Sequence, residues 1–219
     1  MDSKDPILAD GFRTDPYWWD HVPRDSQAGL PADALPDRAD VVVIGSGYAG
    51  LHAAITLARD GTDVVVLEAG PLGFGASTRN GGMVSGGVNV GKHAVIEPSQ
   101  ADEMLAEAAE SYSWFERFIA DEGIDAVYQR CGRFVGAHTS AAWKRQQAQL
   151  ARLNDIADSG ATMVPQEQTR DHVASDFYRG GMLLERSGAV HPAKLHHGVL
   201  SVAEAAGVKL FGGMRAGAL

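Results

Sequence analysis

The 219-residue chain is 45% apolar and carries a formal net charge of −9. That is enough apolar content for a sizeable core, and the acidic balance without a basic block argues against nucleic acid or an anionic membrane surface as partner and for small molecules. Cys131 is the single cysteine, which excludes an intrachain disulfide and points to a reducing, cytoplasmic setting, with a small packed thiol as its plain reading. The opening MDSKDPILADGF lacks the basic start and apolar run of a secretory signal, and no stretch approaches the ~20 apolar residues of a membrane span.

Residues 1–38 hold Pro6, Pro16, Pro23, Pro31 and Pro36 among scattered acids and read as an extended arm. Tyr17, Trp18 and Trp19 within it are costly to leave in water, so they are expected to pin the arm onto the globule, with an oligomer contact or an aromatic wall near a substrate as alternatives. Next comes ADVVVIGSGYAGLHAAITLARDGTDVVVLEAG, residues 39–70. This is an apolar strand, a glycine turn, an amphipathic helix and a second apolar strand closing on Glu68 and Ala69.

Gly45, Gly47 and Gly50 form GxGxxG at the strand-to-helix junction. The first allows a tight turn, the second lets a pyrophosphate approach the backbone and the third lets helix pack on strand. The helix starting near Tyr48 and Ala49 offers free amides and its positive dipole end to phosphate. Glu68, about 20 residues on, stands where a ribose hydroxyl needs an acceptor. The module is therefore expected to bind an adenine dinucleotide.

After Gly70, the stretch PLGFGASTRNGGMVSGGVNVG contains Gly73, Gly75, Gly81, Gly82, Gly86, Gly87 and Gly91, too many for a regular strand or helix. It is expected to be a second cofactor-contacting loop rather than a plain connector, with Ser77, Thr78, Arg79 and Asn80 as donors. A helix follows over 100–119, with Leu105, Ala108, Tyr112, Phe115, Phe118 and Ile119 inward and Glu107, Glu110, Glu116 and Arg117 outward. DAVYQR and GRFVGAH suggest two strands joined at Cys131 and Gly132. A second helix is expected over 140–158, capped by Ser140, with Trp143, Leu150, Leu153 and Ala157 inward and Gly160 as its stop. Pro165 begins a short helix, GMLLER is a strand, and residues 192–206 form a third long helix ended by Gly207. The strand over 208–211 then supplies the third parallel neighbour that a dinucleotide fold requires. A sheet left there has an apolar edge and face uncovered, so the chain is expected to be the amino half of a longer protein.

The histidines give no strong site. His191 stands at a helix entrance where capping or packing explains it, adjacent His196 and His197 point to different faces, and His52 reads as packed or exposed. No Cys-His-carboxylate cluster suggests a metal, and no GxSxG marks a serine nucleophile.

The series VVVIGSGYAGLHAA, LARDGTDVVVLEAG, GFGASTRNGG and GGMLLERSGAVHPAKL resembles the amino half of FAD-dependent oxidoreductases of the D-amino-acid oxidase type, in particular γ-glutamylputrescine oxidase-like members. The resemblance implies that Gly45, Gly47, Tyr48, Ala49, Gly50, Glu68 and Ala69 hold the ADP half of FAD, and that the loop Ser77, Thr78, Arg79, Asn80, Gly81, Gly82 lies along the pyrophosphate toward the flavin. Met83 departs from the pattern, standing where many relatives carry a polar residue. The implied chemistry is oxidation of a C–N bond in an amine or amino acid by hydride transfer to flavin, with hydrolysis of the imine and reoxidation by oxygen or another acceptor. Free alkylamines titrate near 10.4, so a site for this chemistry should favour neutral substrate, and no dedicated side-chain base is required. The catalytic residues are not assigned.

The expected class is thus α/β: a Rossmann-like FAD-binding βαβ module over 39–92, an inserted α+β substrate or cap portion over 93–186, and a return to the FAD-binding domain over 187–219. Two rivals stay open: an NAD-dependent dehydrogenase, which Glu68 does not separate from a flavoprotein, and a catalytically silent dinucleotide-binding half-protein. The residues leave open the particular amine, oxidase versus dehydrogenase, covalent attachment of FAD and the oligomeric state. The 219 residues alone are expected to bind FAD weakly, if at all, and not to turn over an amine without the carboxy region.

Overall fold

A computed structural model describes residues 9, 11–22, 29–86 and 97–217. The expectations on Pro6, Pro23, Gly87, Gly91 and the border at residue 92 lie outside the described residues. In chain order the regular elements are β1 Val41–Ile44, α1 Tyr48–Arg59, β2 Val64–Leu67, β3 Met83–Ser85, α2 Pro98–Asp121, β4 Arg133–Gly136, α3 Ser140–Ala157, β5 Thr162–Val164, β6 Gly181–Leu184, β7 Ser187–Ala189, α4 Pro192–Ala205 and β8 Lys209–Phe211. They divide into two compact units, one of residues up to 81 with 124–126 and from 191 onward, the other of residues 82–123 with 127–190.

In the first unit the valine runs form a parallel sheet of order β1-β2-β8, with Val41 opposite Val64 and Val65 opposite Lys209. Parallel neighbours need long crossovers. α1 supplies the first, and α4, which packs on α1, lies just before β8. Val64, Val65, Val66, Leu210 and Phe211 are buried, as are Leu51, Ala54 and Ile55 of α1 and Val199 and Leu200 of α4. Full burial of a side chain of this size contributes about 1.5–3 kcal/mol over exposure. On β1, by contrast, Val42 is 53% and Ile44 62% exposed.

The arm is more structured than expected. Tyr17–His21 and Ala32–Ala34 are short 3-10 helices, and Gly29 bridges Phe211 while the Leu30 amide donates to the Leu210 carbonyl at 2.7 Å. A Cβ on Gly29 would stand 2.5 Å from that carbonyl oxygen, so only glycine permits this approach to β8. Trp19 is 4% exposed and clusters with Val22 and Ala193, which is the anchoring expected of the aromatics.

In the second unit β4, β6 and β5 form an antiparallel sheet of order β4-β6-β5, and β3 pairs with β7. Leu105, Ala109, Leu153, Ala157, Ala161, Met182 and Leu184 are its buried apolar cluster, joining α2 and α3 to that sheet. Several local expectations need correction. DAVYQR is not a strand: only Gln129 makes a bridge, to Ala189, because β4 takes β6 as partner. The glycine-rich stretch does include a strand, Met83–Ser85, whose backbone finds its ladder in β7. Thr139, not Ser140, caps α3, its hydroxyl accepting from the Ala142 amide at 3.1 Å. The helix stops at Asp158, which takes the left-handed conformation two residues before Gly160. Cys131 is exposed rather than packed. Glu116, assigned to the solvated face, is half-buried and accepts from the Tyr128 hydroxyl at 2.6 Å, and Tyr128 and Tyr112 share a 2.7 Å contact. Burial, with these bonds, raises the Tyr128 pKa.

Candidate cofactor site

The C-terminal ends of β1 and β2 and the start of α1 build the candidate site, all within the first unit. The Gly45 amide donates to the Leu67 carbonyl at 2.8 Å, and Gly45 itself has φ +100°, a conformation side chains strain to adopt. Gly47 is the extended N-cap of α1 and has no side chain to occupy the helix entrance. A Cβ on Gly50 would lie 2.3 Å from the Gly45 carbonyl oxygen and 3.1 Å from Val43, so the third glycine is demanded by packing alone. A Cβ on Gly47 would meet only the Ser77 hydroxyl, at 3.3 Å. The fold therefore tolerates bulk at Gly47 far better than at Gly50.

The first amides of α1 have no intrahelical acceptor. Ser77 reaches one of them, its Oγ accepting from the Tyr48 amide at 3.3 Å. The loop that carries Ser77 is thereby placed at the helix entrance, and Ala49 is exposed there. Thr78 is buried, donating to the Gly73 carbonyl at 2.6 Å and accepting from the Trp19 indole at 2.9 Å. Arg79 is exposed: its Nε donates to the Phe74 carbonyl at 2.7 Å, and its guanidinium lies 4.5 Å from the Trp19 ring centre and 4.4 Å from that of Phe74. The Asn80 side chain closes the turn on the carbonyls of Ala76 and Ser77, at 3.1 and 3.0 Å. Gly81 is exposed, while Gly82, at φ +70°, belongs to the second unit.

Glu68 is half-buried at the end of β2, with Ala69 exposed beyond it. Its Oε2 accepts from both the amide and the hydroxyl of Ser46, each at 3.0 Å, and its Oε1 from the Gly70 amide at 3.2 Å. Partial burial alone would raise its pKa. Bonds from Ser46, Gly70 and Ala69 outweigh that and hold the carboxyl below the usual carboxylate range.

Two supports went unread in the sequence. Ser46, fully buried, also accepts from the Gly73 amide at 2.9 Å and so joins the glycine turn, Glu68 and the following loop. His196 of α4 contacts the Ser46 carbonyl through Nε2 at 2.6 Å, and a Cβ on Gly73 would lie 2.6 Å from its ring. It is thus a core histidine, and burial lowers its pKa. The middle residue of GSG was the available signal for Ser46; nothing local marks His196. His191 caps α4, its Nδ1 accepting from the Lys194 amide at 3.2 Å. Among the described residues no three His, Cys, Asp or Glu side chains are grouped to hold a metal ion.

A turn with left-handed Gly45, amides at a helix entrance with no side chain at Gly47, and an ionised carboxylate at the end of the next strand fit a dinucleotide diphosphate and ribose. The model of the FAD dependent oxidoreductase family, DAO, matches residues 40–219, and the chain belongs to that family. The cofactor of the family is FAD. The chain is 31% identical to the probable oxidoreductase OrdL of Haemophilus influenzae, over 89% of this chain and 46% of that protein. It is also 31% identical to the gamma-glutamylputrescine oxidoreductase of Escherichia coli, over 84% of this chain and 43% of that one. The chain spans a little under half the length of these curated relatives. Its fold is that of L-amino acid deaminase from Proteus myxofaciens, TM-score 0.70 at 22% identity over 85% of this chain and 40% of the other, and of glycine oxidase from Geobacillus kaustophilus, TM-score 0.68 at 20% identity over 80% and 47%. The family and the mixed α/β class read from the sequence are thus those found. No described helix is long and apolar enough to cross a membrane.

Proposed function

We propose that this chain forms the FAD-binding part of an oxidoreductase acting on the C–N bond of a small amine or amino acid. Gly45, Gly47 and Gly50 shape the turn, the amides of Tyr48 and Ala49 with Ser77 receive the diphosphate, and Glu68 accepts from the adenosine ribose. Ala69, Thr78, Arg79, Asn80, Gly81 and Gly82 border the cofactor. Residues 39–92 and 187–219 belong to the FAD-binding domain and 93–186 to the substrate side. When bound, FAD supplies a two-electron acceptor for the hydride on the carbon bearing nitrogen, leaving an imine that water hydrolyses. Oxygen or another acceptor takes the electrons onward, the setting is the cytoplasm, and neither nucleic acid nor membrane is a partner.

The observation that carries the reading is the Ser46–Glu68 pair beside the left-handed Gly45 turn. The pair keeps an ionised acceptor at the strand end, and Gly47 brings no side chain of its own to the helix entrance, where the Ser77 hydroxyl lies on the Tyr48 amide. Support for the substrate class comes from the relatives, one of which is a gamma-glutamylputrescine oxidoreductase. The test is the visible spectrum of the isolated protein before and after adding an amine such as γ-glutamylputrescine. Saturable uptake of FAD supports the cofactor site, and anaerobic bleaching of the flavin bands by the amine supports the substrate class separately. A colourless protein that takes up no added FAD contradicts the reading.

A further inference from the structure

Three consecutive loop residues at the candidate site are held by the amino-terminal arm. The Trp19 indole donates to Thr78 Oγ1 at 2.9 Å, and the Trp18 indole donates to the Asn80 carbonyl at 3.0 Å. Arg79 lies over the adjoining rings of Trp19 and Phe74, and its NH1 donates to the Thr14 carbonyl at 3.4 Å. The arm is itself anchored: Trp19 is 4% exposed beside Val22 and Ala193, and the Trp18 ring meets His191, at the start of α4, with centres 5.0 Å apart. The loop ends on Ser77, whose hydroxyl sits on the Tyr48 amide. A chain of contacts thus runs from α4 through the arm to the helix entrance.

We infer that residues 14–21 form a latch that sets the loop 77–80 at the helix entrance, with Trp18, Trp19 and Arg79 as positioning residues for FAD. The inference rests on the FAD reading above. A loop flanked by glycines, here Gly75 and Gly81, has many conformations to lose when a ligand is bound, and tying it beforehand removes that cost from binding. The assignment also gives Arg79 a defined task. A flat guanidinium laid over two adjoining rings and bonded to two backbone carbonyls is already committed in geometry, and lysine cannot reproduce that arrangement.

The test titrates deflavinated protein, as isolated, with FAD and follows flavin fluorescence, alongside the melting temperature of the apoprotein. Trp18→Phe keeps an aromatic ring against His191 and deletes one donor to a solvent-accessible carbonyl. It should weaken FAD binding about three- to tenfold, the scale of one hydrogen bond, with the apoprotein melting close to the parent. Trp19→Phe should weaken binding by at least as much. Arg79→Lys should lose affinity as Arg79→Met does, because charge alone does not make the latch. Parental FAD affinity in both Trp variants, even with lowered melting temperatures, would reduce the arm to a structural tie and overturn the inference. Full affinity in Arg79→Lys together with loss in Arg79→Met would assign Arg79 to direct charge contact instead and overturn its place in the latch. Failure of the parent itself to bind FAD would refute the functional reading, a result distinct from either.

Discussion

Ser46 grips Glu68 twice, with its amide and its hydroxyl each 3.0 Å from the same carboxylate oxygen. The turn that makes room for phosphate and the acceptor proposed for ribose are therefore one hydrogen-bonded piece. Ser46→Ala should remove a charge-assisted bond and the acceptor of the Gly73 amide. The expected cost is about 1.5–3 kcal/mol of stability, read by denaturant unfolding, together with an upward shift of the Glu68 pKa.

Glu68→Ala should weaken FAD binding about ten- to a hundredfold, the equivalent of about 1.5–3 kcal/mol for a hydrogen bond to a charged group. The comparison is a fluorescence titration of folded mutant and parent. Equal affinities would take Glu68 out of the ribose site.

The glycines of the motif should separate by mutation. A methyl group on Gly50 collides with the Gly45 carbonyl, whereas one on Gly47 meets only a hydroxyl at 3.3 Å. Gly50→Ala should therefore destabilise the apoprotein by roughly 1–3 kcal/mol or more, as overpacking does, while Gly47→Val should fold and lose FAD. Thermal unfolding and FAD titration of the two variants check the contrast.

Acid should destabilise the first unit through its histidines. Burial lowers the pKa of both His191 and His196, and the charges of His21 and Lys194 add to the effect at His191. The unfolded chain then binds protons near pH 6.5 that the folded chain refuses. This contribution is complete above about pH 6.5 and is lost as pH falls through the lower folded values. Protonation of His191 also removes the Nδ1 acceptor of the Lys194 amide. His191→Asn keeps a capping acceptor without that titration, so its melting temperature should fall less between pH 7.5 and 5.5 than the parent's.

At α3 the cap should follow Thr139. Thr139→Ala is expected to cost about 1 kcal/mol and Ser140→Ala little, measured by chemical denaturation.

The sequence made the strand-turn-helix module legible because every local signal agreed there: uninterrupted valines, glycines at fixed offsets, a carboxylate at the strand end. The return of α4 and β8 to the same sheet was legible too, since Pro192 and Gly207 bracket an apolar helix. Less readable were places where a partner distant in sequence decides the outcome. DAVYQR has strand composition, yet β4 found β6, and Met83–Ser85 became a strand because β7 lay alongside. Glu116 fits the solvated face of its helix by spacing and was drawn inward by Tyr128, whose hydroxyl it accepts. At the site, Glu68 was visible from its distance to the glycines. Trp18 and Trp19, 59 to 62 residues away from the loop they bond, were readable only as anchors.

The central claim, that the Gly45 turn and Glu68 hold FAD, is tested most directly by titrating deflavinated parent and Gly47→Val protein with FAD while verifying that both are folded. The account predicts saturable binding of one FAD per chain by the parent and its loss in the variant, with unfolding temperatures close together. A parent that shows no saturable uptake, or a Gly47→Val protein that binds FAD as tightly as the parent, would contradict it.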